Sequence, residues 1–321
     1  MPNGILVVRL GAMGDILHAL PAVASLKESF PELPITWIVD LNWAPLLEGN
    51  PSIDHLILFE RRNWRSWAGT RRDLRQHQYA MAVDFQGLVK SAAIARIAGP
   101  ARIAGFHRSE TRERLAGWFY STTVKSRSRH VVDRNLDLAA AAGATKISRS
   151  FYVPPGKPEG NLPSGEFILA SPFAGWRGKQ WPLEYYSDAA VKLREELELP
   201  LVLNGPPDAR EALSRIPNVL VHISGLPGLI DATRRATAIV GVDSGPMHLA
   251  AALEKPGVAL FGPTDPERNG PCRATIKVIR GPRVTASTAR GGYARSASID
   301  PAMREITPKE VVAALQVMCY K

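Results

Sequence analysis

The chain has 321 residues, with 40 Lys and Arg against 30 Asp and Glu, for a formal net charge of +10. At roughly 100–200 residues per domain this length predicts two domains, and 45% hydrophobic with 22% charged residues is globular composition that excludes a disordered chain. The two cysteines, Cys272 and Cys319, lie far apart and lack metal-ligand spacing, which excludes a disulfide scaffold or zinc module and points to a reducing compartment. No apolar run approaches the ~18 residues that span a bilayer. Residues Met1 to Ile5 carry no basic stretch ahead of an apolar core, so a soluble cytoplasmic protein is expected.

In chain order, Ile5–Leu10 is a run of strand length, followed by Gly11-Ala12-Met13-Gly14-Asp15. Ile16, Leu17, Leu20, Val23, Ala24 and Leu26 then recur at helical spacing, so the segment reads strand, Gly-rich turn, helix. Buried-type runs at Ile35–Val39, His55–Phe59 and Met81–Asp84 alternate with amphipathic stretches, which predicts a parallel sheet covered by helices. The pattern breaks at Val153–Pro163, where six of eleven residues are Pro or Gly and mark a linker. It restarts with Phe167–Ala170, a helix over 183–198, Leu201–Leu203, Ala238–Val242, a helix from Met247 to Leu253, and Val258–Phe261. The expected division is a first α/β domain over 1–155 and a second over 156–305. A last segment, 306–321, carries a helix from Lys309 to Val317 that is expected to return to the first domain.

The basic excess is uneven. Residues 61–134 hold sixteen Lys and Arg but five acids, so this one region supplies the whole surplus. An anionic partner follows as a hypothesis: nucleic acid, a phospholipid surface or a phosphorylated substrate. Trp64 and Trp67 would be the stacking residues of a nucleic-acid binder, but no recognisable binding module accompanies them, so nucleic acid is not expected.

Open parallel sheets bind ligands beyond the carboxyl ends of their strands. Asp15 stands at such a place, with Gly11 and Gly14 permitting close backbone approach, though an Asp entering a helix is also a favoured cap worth about 1 kcal/mol. His18 follows one turn later on the same helix face. Gln86-Gly87-Leu88-Val89-Lys90-Ser91 repeats the strand-to-helix arrangement, with Lys90 placed toward an anion or toward water. In the second half, Asp243-Ser244-Gly245-Pro246-Met247-His248 follows a strand and opens a helix whose N–H groups attract phosphate. Phe261-Gly262-Pro263-Thr264-Asp265-Pro266 reads as a rigid turn after another strand. Trp176-Arg177-Gly178-Lys179-Gln180-Trp181 offers Arg177 and Lys179 to a phosphate, with Trp181 ordering the loop.

Taken together, Arg9–His18, Asp243–His248 and Gly262–Pro266 resemble glycosyltransferase family 9, the bacterial lipopolysaccharide heptosyltransferases, nearly end to end. Asp84–Ser91 and the Arg61-Arg62-Asn63-Trp64-Arg65 stretch resemble its type I branch, which moves L-glycero-D-manno-heptose from ADP-heptose to the first Kdo of Kdo2-lipid A. The resemblance implies an α/β GT-B fold, two Rossmann-like domains facing across a central cleft, with acceptor on the first and nucleotide sugar on the second. It also implies inversion at the anomeric carbon with no metal or other cofactor. Asp15 matches the general base and Lys179 a basic residue placed for the diphosphate, the two catalytic positions. Asp243, Ser244, Gly245, His248 and Thr264 match the donor side, and either Asp208 or Glu211 is expected to bind the ribose. Gly14, His18, Arg61, Arg62, Arg65, Gln86, Gly87 and Lys90 are assigned to the acceptor. The segment from Val284 to Arg295 matches nothing in the family. A monomer at the inner face of the inner membrane is expected, bound peripherally through the lipid acceptor. A transferase for another sugar or acceptor, such as a type II heptosyltransferase, is the alternative.

Overall fold

A computed structural model describes residues 3–60, 66–282 and 296–319. The chain divides into two compact units, Met1–Pro154 and Pro155–Lys321. In the first, strands β1 (Gly4–Val8), β2 (Ile35–Asp40), β3 (His55–Phe59), β4 (Tyr79–Asp84), β5 (Arg102–Phe106) and β6 (Thr122–Val124) alternate with helices α1 (Met13–Ser29), α2 (Ser66–Arg75), α3 (Val89–Ile97) and α4 (Val131–Ala141). The strands are parallel and ordered β3-β2-β1-β4-β5-β6.

The second unit repeats this plan. Its strands are β7 (Ile168–Ser171), β8 (Leu201–Gly205), β9 (Leu220–Ile223), β10 (Ala238–Val242), β11 (Gly257–Phe261) and β12 (Ile276–Arg280). Its helices are α5 (Leu183–Leu197), α6 (Arg210–Ser214), α7 (Leu226–Arg235), α8 (Gly245–Ala252), α9 (Pro266–Asn269), α10 (Pro301–Arg304) and α11 (Pro308–Cys319). The sheet order β12-β11-β10-β7-β8-β9 is the first sheet's order read from the other edge. Both sheets therefore reverse direction beside their first strand, between β1 and β4 and between β7 and β10, the kind of switch point where doubly wound sheets leave a crevice.

Period-2 burial builds these layers. Ile168 and Ala170 of β7 enter one core, with Leu193, Leu203 and Leu315, while Phe167 and Leu169 enter the other, with Val202, Ala251 and Phe261. Each such large side chain contributes on the order of 1.5–3 kcal/mol by leaving water. Helix α1 is buried from Met13 to Leu26 except at Gly14 and Asp15, so those two residues are the part of it left for chemistry.

The last helix is part of the second unit. Helix α11 lies against α5 and β11, and Val311, Val312 and Leu315 are fully buried in the second unit's core. The apolar stripe Val311, Val312, Leu315 closes the face of β11 and β10 that α5 leaves open.

Candidate active site

In the first unit the site grows from strand register. Val8 of β1 pairs with Asp84 of β4, which sets the two strand ends level and brings Arg9 beside Phe85. Arg9 is buried; its Nη1 donates to the Phe85 carbonyl and its Nη2 stands 2.5 Å from Asp15 Oδ2. Gln86 Oε1 accepts the Leu10 N–H at 2.7 Å, and Trp37 Nε1 donates to the Arg9 carbonyl at 3.0 Å, so the chain entering the Gly11 turn is held from both sides.

Asp15 is the third residue of α1, not its N-cap; Ala12 holds the cap position and its N–H reaches Asp15 Oδ2 at 3.4 Å. Arg112 Nη2 approaches the same oxygen at 3.1 Å. Burial pushes the Asp15 pKa up, but Arg9 first, then Arg112 and His18, outweigh it and hold the carboxyl at about 2. Asp15 is thus ionised at neutral pH.

Arg112 is brought there by Gly87. Gly87 has φ +69°, and a β-carbon on it would stand 3.4 Å from the Thr111 Cα. Its carbonyl accepts the Glu113 N–H at 3.1 Å, while Glu113 Oε2 accepts the Val89 N–H at 2.7 Å at the start of α3. Behind this seam lies Asp84, fully buried, whose Oδ1 accepts the Gln86 N–H at 2.8 Å and whose Oδ2 accepts the Tyr120 hydroxyl at 2.7 Å, with Ser91 Oγ also 2.7 Å away. Burial pushes the Asp84 pKa up against those donors.

The other residues expected on the acceptor side divide. Gly14 is half-buried beside Asp15 at the start of α1. Gln86 is buried, and its carbonyl accepts the Leu10 N–H and so shapes the turn. His18 is buried, its ring 6.1 Å from that of His130. Lys90 Nζ lies 4.5 Å from the Phe59 ring centre and 5.3 Å from that of Trp67, over aromatic faces. Arg61, Arg62 and Arg65 lie outside the described residues, as does the segment Val284 to Arg295.

In the second unit, Lys179 ends a 3-10 turn (Arg177–Lys179) after β7, and Asp243 follows β10, its neighbour in the sheet. Lys179 Nζ pairs with Asp243 Oδ2 at 2.7 Å and also lies 3.4 Å from the Asp243 carbonyl oxygen. His248 Nε2 stands 3.7 Å from Asp243 Oδ1. Burial opposes ionisation of Asp243, but His248 and then Lys179 overcome it and hold its pKa below the usual carboxylate range. Trp181 orders this loop from beneath: it is fully buried, donates to the Ile306 carbonyl at 2.9 Å and meets Tyr186 edge-to-face.

Ser244 occupies the N-cap of α8, yet its hydroxyl does not cap; it is a buried oxygen with no hydrogen-bond partner. Thr264, in the turn after β11, is buried with its hydroxyl in the same condition. Gly245 opens the first turn of α8. These groups stand at the carboxyl end of the sheet, where an anion would meet helix N–H groups. Asp208 and Glu211 follow β8; both are exposed, and Glu211 pairs with Arg215 one turn along α6.

Arg112 and Tyr120 carry no sequence signal of their own, since nothing local marks an arginine near residue 110 as a partner of Asp15, and Asp84 is legible only as the first residue of the Asp84–Ser91 motif. Arg9 lies inside the Arg9–His18 run, where its position alone gives it no role. Among the described residues no trio of His, Cys, Asp or Glu is gathered as a metal-ligand set, and no helix is long and apolar enough to cross a membrane.

Comparison with known proteins gives the family and the fold. Residues 67–292 match the sequence profile of glycosyltransferase family 9 (heptosyltransferase). The lipopolysaccharide heptosyltransferase 1 of Pseudomonas aeruginosa is 29% identical over 294 residues, covering 83% of this chain and 80% of that protein. The lipopolysaccharide heptosyltransferase 2 of Escherichia coli K12 is 27% identical over 349 residues, covering 98% of both. The E. coli heptosyltransferase WaaC solved with ADP superimposes with a TM-score of 0.75 at 25% identity, covering 98% of this chain and 99% of that one, which together with the paired six-stranded sheets gives the GT-B fold.

Proposed function

The chain belongs to glycosyltransferase family 9, and from that premise we propose that it transfers L-glycero-D-manno-heptose from ADP-heptose to the first Kdo of Kdo2-lipid A, with inversion and without a metal. The observation that carries the reading is the pair of charged centres at the two switch points, Asp15 between two arginines and Lys179 on Asp243. Similarity to heptosyltransferase 1 proteins supports the donor and acceptor class.

The chemistry follows from what each centre can do. Displacement at an anomeric carbon passes through an oxocarbenium-like state, and the attacking hydroxyl must lose its proton as the new C–O bond forms. Asp15 takes that proton; being ionised at neutral pH, it is always in the accepting form. The bond from the anomeric carbon to the phosphate oxygen breaks with its electron pair on ADP. Lys179 and the N–H groups at the start of α8 meet that charge, and a cation so placed supports a metal-independent departure. Ser244 and Thr264 offer the donor hydroxyls that the free protein leaves unsatisfied. Asp243 keeps Lys179 in place, and Asp208 or Glu211 remains the group for the ribose. The acceptor meets Gly14, Arg112 and the basic residues Arg61, Arg62, Arg65 and Lys90. The protein acts as a monomer, peripherally at the inner face of the inner membrane where such an acceptor resides.

Incubation with ADP-heptose and Kdo2-lipid A tests this directly, in the presence of a chelator. ADP release with the heptosylated lipid is the expected result. Release only with an already heptosylated acceptor would instead favour the type II reaction, a reading that the end-to-end match to heptosyltransferase 2 keeps in view.

A further inference from the structure

One six-residue 3-10 helix, Arg114–Phe119, presents large apolar side chains to solvent: Leu115 is 65% exposed, Trp118 76% and Phe119 36%. It is firmly seated. Ala116 is fully buried against the core that α3 and β5 share, and Gly117 lies so close to Arg108 that a β-carbon there would sit 2.8 Å from the Arg108 Cβ. Leu115 and Trp118 are three residues apart and so fall on one side of a 3-10 helix. Beside them stand two exposed arginines, Arg114 and Arg108, the latter with its guanidinium 6.0 Å from the Trp118 ring centre. Isolated exposed apolar residues are ordinary, but three within one short helix, one of them Trp, with arginines around them form a patch.

The patch is tied to the active site at both ends. Arg112, two residues before it, pairs with Asp15, and Tyr120, immediately after it, donates to Asp84. We propose that this segment seats the first unit on an anionic phospholipid bilayer, Leu115 and Trp118 entering the headgroup–acyl boundary while Arg108 and Arg114 meet lipid phosphates. Trp suits that boundary because its ring is apolar and its N–H polar; cationic side chains add attraction to anionic headgroups. The segment also lies within the stretch 61–134, which carries the chain's surplus of positive charge. The choice of a bilayer over a protein groove also rests on the proposed lipid-linked acceptor: a docked segment beside Asp15 lets a membrane-held sugar reach the base without its acyl chains leaving the bilayer.

Co-sedimentation of the full chain with phosphatidylethanolamine–phosphatidylglycerol vesicles, which contain no acceptor, tests the surface apart from the substrate. Two double variants are compared with the wild type, Leu115→Ser with Trp118→Ser, and Arg108→Gln with Arg114→Gln. The first is expected to lower vesicle partitioning more than tenfold. The second lowers it roughly thirtyfold at low salt and much less on zwitterionic phosphatidylcholine vesicles. Both keep the wild-type rate on a deacylated, water-soluble Kdo acceptor. Equal partitioning of all three proteins overturns the proposal, and so does an apolar variant that changes only self-association in the absence of lipid. If the wild type binds vesicles but turns over no acceptor, the docking surface stands and the heptosyltransfer reading falls. Turnover of the soluble acceptor without vesicle binding overturns the docking surface and leaves heptosyltransfer standing.

Discussion

The two units place an ion pair at the same point of the same sheet order, but with the partners exchanged. In the first, the cation is the deeper member: Arg9 is 7% exposed and Asp15 23%. In the second, Asp243 is 5% exposed and Lys179 18%. The outer group is the one a substrate can touch. Arg9 therefore serves Asp15, whereas Asp243 serves Lys179, and under the proposed function one architecture supplies a base in the first unit and an electrophilic clamp in the second. The deeper partner in each case sets position and charge state without needing to meet the ligand.

Replacing the outer group of the first pair gives the largest expected effect. Asp15→Asn should lower the rate per folded molecule about a thousandfold, within the range for a lost general base, while donor affinity measured by calorimetry stays near wild type. A variant that kept its rate and lost only stability would make Asp15 as structural as Asp243 and erase the contrast. Next, Lys179→Met should reduce kcat/KM for the donor about a hundredfold. It should also destabilise the second unit by about 3 kcal/mol, because Asp243 is left charged and buried. Adding Asp243→Asn should restore most of the stability in urea titrations but none of the rate.

Arg112 sharpens the comparison from the other side. Its side chain is 59% exposed, so Arg112→Ala should alter stability by less than about 1 kcal/mol. Because its charge helps depress the Asp15 pKa, its removal should move the acidic limb of kcat/KM to higher pH. The sign for folding is consistent: with a folded pKa of about 2 against an ordinary 3.8, ionised Asp15 contributes stability that is complete above about pH 4 and is lost as the pH falls through 2. Acid unfolding of Asp15→Asn should lack that component. The smallest change is Thr264→Val, expected to raise the donor KM several-fold while leaving thermal stability equal or slightly higher, since the buried hydroxyl it removes has no partner in the free protein.

Much of the fold is legible in the sequence because central strands of a parallel sheet are buried on both faces and read as apolar runs, as Val7-Val8 and Ile239-Val240 do. The strands that escape such reading lie at or near edges. β6 has three residues, β12 alternates Lys277 and Arg280 with Ile276 and Ile279, and β5 opens on Arg102. Asp15, Lys179 and Asp243 are legible because each lies within a residue or two of a helix or turn that follows a strand. Arg112 is not, because its partner is 97 positions away and the approach depends on the positive φ of Gly87. Lys90 and Gln86 are legible as polar residues near a strand end, but the aromatic ring beside the one and the Leu10 N–H held by the other are not.

The burial of α11 in the second unit bears on how the chain acquires its structure. Each sheet is built from contiguous sequence, one on each side of Pro154. Every strand of the first sheet leaves the ribosome before the linker does. That unit, with Arg9, Asp15 and Arg112 already assembled, can therefore complete its folding during synthesis, before the second has emerged.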